Sequence, residues 1–96
     1  MSIEFNKIKK ELLKDPEFKK EYENLSGEYQ IARMLIMARL ESGLTQQEVA
    51  ERMGTSQSAV ARMESGKPGT LKTIEKYAEA TGNRVTYRLH RVASNG

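Results

Sequence analysis

Residues 44–66, LTQQEVAERMGTSQSAVARMESG, carry the spacing that two short helices need when they cross closely through a glycine turn. Counting from Gln46 as the first position, Ala50 is fifth, Gly54 ninth, Val60 fifteenth and Met63 eighteenth. Each place has its own physical requirement. A methyl-sized side chain at Ala50 lets the second helix come close to the first, and Gly54 can take a positive φ at the bend with no Cβ to clash. Val60 and Met63 then face inward. Thr45 and Ser56 each precede a helical run, where a side-chain oxygen can cap free backbone N–H groups. Glu48 follows Thr45 by three residues, which is the capping-box spacing.

A helix pair of this kind presents the start of its second helix to the major groove of DNA. The chain has 96 residues, enough for one domain, and its packable part is about 65 residues, so a small core is expected and oligomerisation would help it. It contains no cysteine, no apolar run long enough to span a bilayer and no signal-peptide pattern, which makes the cytosol the expected compartment. The net charge of +3 and pI near 9.3 permit nucleic-acid binding without demanding it. Residues 1–30 carry six lysines against seven acids, residues 31–66 balance four arginines with four glutamates, and residues 84–96 hold three arginines and no acid. One subunit therefore attracts phosphate only weakly. Tight binding would have to come from geometry, from helix N-termini or from the pairing of two subunits.

Along the chain, Ile3, Ile8, Leu12 and Leu13 form a sparse apolar stripe that suggests a first helix ending near Asp15. Asp15, Pro16 and Glu17 make a helix start, so a second helix is expected over residues 16–24, with Phe18, Tyr22 and Leu25 on one face. Ser26 and Gly27 are expected to interrupt it. A longer helix should run over residues 28–42 with Ile31, Met34, Leu35 and Ala38 inward, stopped by Gly43. After the two motif helices, Thr70 should cap a last helix with Leu71, Ile74, Tyr77 and Ala78 facing in, ended by Gly82. Met34, Met37, Met53 and Met63 recur at helical spacing and read as core filler.

From Val85 the period changes to two: Val85, Tyr87 and Leu89 alternate with Thr86, Arg88 and His90. A lone strand cannot satisfy its own backbone groups, and no second strand is expected in the chain. Its partner would be a second subunit, with a different protein or a frayed tail as the alternatives. Arg84, Arg88 and Arg91 are read as solvated or phosphate-facing.

The inventory argues against an enzyme. Asp15 is the sole aspartate and His90 the sole histidine, so neither a nucleophile with its base nor a set of metal ligands can be assembled from recognisable spacing. Gly66 and Gly69 bracket a proline turn and do not form a phosphate loop. No cofactor, metal, membrane or small-molecule substrate is expected.

Residues 44–66 resemble the motif of the Cro/C1-type repressor family, also called the XRE family, over about residues 28–82. The resemblance implies an all-α fold of the lambda-repressor-like kind, with five to six helices. An N-terminal helical extension would occupy residues 1–27, the DNA-binding domain residues 28–82, and a C-terminal β-strand pairing across a dimer, with its tail, residues 83–96. In phage repressors of this family a glutamine at the start of each motif helix works on DNA, and Gln46 and Gln57 stand at those places. By this analogy Gln57 reaches an adenine edge while Gln46 braces it and touches a phosphate. Thr55, Ser56 and Ser58 surround Gln57. Ala61, small enough to meet a thymine methyl, and Arg62 lie one turn on; Arg62 could meet a base, a phosphate or a nearby glutamate. Ser65 and Lys67, joined by Lys72, would touch phosphates. Arg39 and Glu64 match the family's structural ion pair.

Outside the motif the chain looks most like HigA-type antitoxins, which repress their own operon and neutralise a RelE/HigB-like toxin that cleaves messenger RNA. The N-terminal extension, the junction EYQIARMLIMAR before GLTQQEVAERMG, and the ending TGNRVTYRLHRV carry that likeness. It implies three partners: double-stranded operator DNA with an inverted repeat, a second copy of the chain, and the toxin. An RNA-cleaving toxin presents a basic surface, and Glu17 and Glu21 beside Phe18 and Tyr22, with Glu11, Asp15 and Glu23, could complement it. The alternative is a solvated face, with Phe18 and Tyr22 docked on the chain's own body. A stand-alone regulator of the same family with no toxin partner is the competing function.

Overall fold

A computed structural model of the chain describes residues 14–23 and 26–93, within which five helices follow one another: α1 (Pro16–Glu23), α2 (Gly27–Ser42), α3 (Gln46–Met53), α4 (Gln57–Glu64) and α5 (Leu71–Ala80). The stripe from Ile3 to Leu13 lies outside the described residues, as do the side chains of Phe18, Glu21 and Tyr22.

Each helix start has a side-chain cap. The Asp15 carboxylate accepts from the Glu17 N–H at 2.9 Å, and Ser26 accepts from the Tyr29 N–H at 3.4 Å. Ser26 thus stands between α1 and α2 as the cap of α2, which begins at Gly27, one residue ahead of the expected start, because the serine oxygen satisfies a free donor there. Thr45 and Glu48 form both bonds of the capping box, at 3.1 Å each. Ser56 accepts from the Ala59 N–H, and Thr70 from the Thr73 N–H, at 3.2 Å each.

The turn between α3 and α4 depends on Gly54, whose φ of 71° places it in the left-handed region. With that turn, the fully buried Ala50 brings α3 against α4. Gly66 performs a second task after α4. Its φ is 112°, and a Cβ there would sit 2.5 Å from the Tyr29 ring, so the exit from α4 is pressed against the start of α2.

The core joins Leu35, Val49, Ala50, Val60, Met63, Ile74, Tyr77 and Ala80, with Ile31, Leu44, Met53 and Val85 packed on it. α2 and α3 each contact both α4 and α5. Met53 and Met63 thus act as apolar filling. Leu71 differs from expectation: it is 59% exposed. It stands at the first position of α5, where the Cα–Cβ bond tilts toward the helix N-terminus, so its side chain reaches past the end of the core.

The C-terminal segment also departs from expectation. Residues 83–93 form no strand among the described residues. Val85 packs on the core, while Tyr87, Leu89 and Val92 are exposed, Leu89 completely. Strand geometry requires a ladder partner, and no described segment of the single chain supplies one. No described helix is long and apolar enough to cross a membrane.

Candidate nucleic-acid interface

Gln57 is the first residue of α4, and its side chain is exposed. The bend at Gly54 returns the chain so that Gln57 meets Gln46 at the start of α3. The Gln57 Nε2 donates to the Gln46 Oε1 at 3.5 Å, a long contact. Gln46 is anchored more firmly, its Nε2 donating to the Glu64 Oε1 at 3.1 Å.

Thr55, Ser56 and Ser58 are exposed beside Gln57. Ser56 is committed to capping α4, and its Oγ lies 3.1 Å from that of Ser58. Ala61 is only partly exposed, whereas Arg62 is exposed and pairs with no glutamate among the described residues. Ser65 is exposed and donates its hydroxyl to the Arg62 carbonyl at 2.8 Å. Lys67 and Lys72 are exposed as well. The glutamine pair stands at one end of α4 and Ser65 with Lys67 at the other, separated by about 12 Å along the helix axis.

Behind this surface lies a polar cluster. The Arg39 guanidinium grips Glu64 with two bonds, Nε to Oε2 at 2.8 Å and Nη2 to Oε1 at 2.9 Å, and donates Nη1 to the Leu44 carbonyl at 3.2 Å. The side chains of the pair are 15% and 5% exposed, so it is far more shielded than a surface pair. The Tyr77 hydroxyl donates toward the Glu64 Oε2 at 2.7 Å and the Leu35 carbonyl at 2.8 Å. Burial pushes the Glu64 carboxyl upward, but hydrogen bonds from Arg39, Tyr77 and Gln46 outweigh it and leave the carboxyl below its ordinary value. The same bond to Glu64 raises the Arg39 guanidinium further, and burial, then the hydrogen bond to Glu64 and its charge, raises the Tyr77 phenol well above its ordinary range.

The hydroxyl of Tyr77 is the functional group that reading the sequence as an inward apolar face did not identify. A buried tyrosine needs a partner for its O–H, and that requirement was the available signal. His90, by contrast, is exposed in the C-terminal segment.

Residues 35–87, more than half of the chain, match a family model described as helix-turn-helix. No curated protein and no solved structure matches the chain.

Proposed function

The chain belongs to the XRE-type helix-turn-helix family of DNA-binding transcription regulators, and we propose that it is a sequence-specific repressor that reads base pairs with Gln57. The observation that carries this reading is the exposed Gln57 amide at the start of α4, held only loosely by Gln46. An amide both donates and accepts, so it matches the N6 and N7 groups of adenine in the major groove. Two copies would place their α4 helices in successive major grooves about 34 Å apart, on an inverted repeat. The exposed apolar residues Tyr87 and Leu89, following Val85, supply a surface for pairing the copies, in line with a ribbon of two C-terminal strands.

Selection from a randomised duplex pool tests the reading. The purified chain should enrich an inverted repeat and protect it in footprinting; a pool with no enriched sequence rules the reading out. On the enriched duplex, Lys67→Ala should lower affinity for all sequences alike and reduce the slope of log affinity against log salt by about one. Fluorescence anisotropy over a salt series measures this, and a lost base preference would instead move Lys67 into the base-reading set.

The finer role is that of an antitoxin, neutralising a RelE/HigB-like toxin by direct binding and repressing its own operon. The likeness of residues 16–29 and 81–92 to HigA-type antitoxins supports it, together with the exposed Glu17 of α1 and Glu28 of α2. Mixing the chain with a RelE-like toxin should abolish RNA cleavage and yield a complex of summed mass. Full cleavage with no complex leaves the stand-alone regulator as the function.

A further inference from the structure

We propose that Tyr77, on a helix outside the two-helix motif, is a positioning residue for base reading: through Glu64 and Gln46, its buried hydroxyl sets how Gln57 is presented to DNA. The inference rests on the assignment of Gln57 as the base reader.

Tyr77 is fully buried on α5. Its single hydroxyl proton faces two acceptors. The Leu35 carbonyl lies within α2, where the helix ladder already supplies a donor, whereas Glu64 is ionised and is the stronger acceptor. Its Oε2 takes Tyr77 and the Arg39 Nε, while Oε1 takes the Arg39 Nη2 and the Gln46 Nε2. Four donors occupy the carboxylate, about as many as its lone-pair sites can accept, so its plane cannot rotate without breaking a bond.

A polarity follows from this. An ionised carboxylate only accepts, so Gln46 must turn its NH2 toward Glu64 and its carbonyl toward Gln57. Gln57 answers with its own NH2 at 3.5 Å, which leaves its carbonyl oxygen and second N–H for a base. The Gln46 amide is therefore oriented from the core, and the Gln57 amide is biased through its long contact with Gln46. Removing the Tyr77 hydroxyl takes one of the two donors from Oε2, so the carboxylate is held by Arg39 and Gln46 alone and the seat of Gln46 is less tightly fixed.

The experiment compares base preference on the inverted repeat enriched by the wild-type chain with preference on the same repeat substituted at the position that Gln57→Ala relaxes. Tyr77→Phe should reduce that preference by about two- to thirtyfold while leaving the affinity for a non-specific duplex and its salt slope unchanged. Ile74→Val, a core change on the same helix at a residue with no hydrogen-bonding side chain, should keep the wild-type preference. Gln46→Ala, at a half-exposed site, gives a second route that does not depend on Tyr77→Phe remaining folded; it should relax the same position. Wild-type preference in Tyr77→Phe or in Gln46→Ala overturns the proposal, as does an equal loss in Ile74→Val. A Gln57→Ala protein with unchanged preference at every position refutes the assignment of Gln57 as base reader, a result distinguishable from failure of the Tyr77 relay alone.

Discussion

Glu64→Ala should destabilise the fold by about 3 to 5 kcal/mol, the cost of stranding a buried charge. The removed carboxylate is the common acceptor for Arg39, Tyr77 and Gln46, so the loss leaves a guanidinium that is 15% exposed without its counter-charge and a buried hydroxyl without its strongest partner. A chain of this size has a total stability of roughly 0.05 to 0.15 kcal/mol per residue, so the change consumes much of it. At about 4 to 8 °C per kcal/mol, the melting temperature should fall by well over 10 °C in circular dichroism. A loss below 1 kcal/mol in urea unfolding would mean that water enters and replaces the carboxylate.

Acid should reproduce part of this effect. The folded-state carboxyl of Glu64 lies below its ordinary value of 4.5, so its contribution is fully present above that pH. As the pH falls from 4.5 through the lower folded-state value, the contribution disappears. Stability measured from pH 6 downward should decline over that window in the wild type and less steeply in Glu64→Ala. Glu48, lowered by the backbone and side chain of Thr45, adds a decline of the same sign in both proteins.

Gln57→Ala should show the opposite profile: near-normal stability and a large loss of operator affinity. The residue is exposed, so unfolding in urea should shift by no more than about 0.5 kcal/mol. A bidentate amide contact to adenine discriminates by about 1 to 3 kcal/mol, or roughly five- to 150-fold in each half-site. Electrophoretic mobility shifts on the enriched repeat should show that loss together with relaxed preference at one position per half-site, while binding to unrelated duplex is unchanged. Equal operator binding by the variant would place the base-reading residue elsewhere on α4.

Much of the fold was legible in the residues. Thr45 with Glu48, Ser56, Thr70, Gly43 and Gly54 mark helix ends by requirements that span only a few residues, and each is found at such an end. The inward faces of α3 and α4 followed from spacing, since Ala50, Val60 and Met63 are buried. Ser26 lies between α1 and α2 as expected, and only the first residue of α2, Gly27 instead of residue 28, escaped the sequence, because a glycine serves equally as a break or as a first helical residue. Leu71 was misplaced because periodicity assigns a face without saying where along the helix the core ends.

Local chemistry by itself determined where these helices begin, where they stop and which stripe of each avoids water, because capping, φ preference and helical period act over a few neighbouring residues. The Arg39–Glu64 pair and the meeting of Gln46 with Gln57 were expected through the family resemblance alone, and only the tertiary structure decided that Tyr77 and Gln46 share that glutamate. Those partners lie 11 to 25 residues apart, and whether a polar group finds its donor at such separation depends on how the helices cross, which no short window of residues encodes.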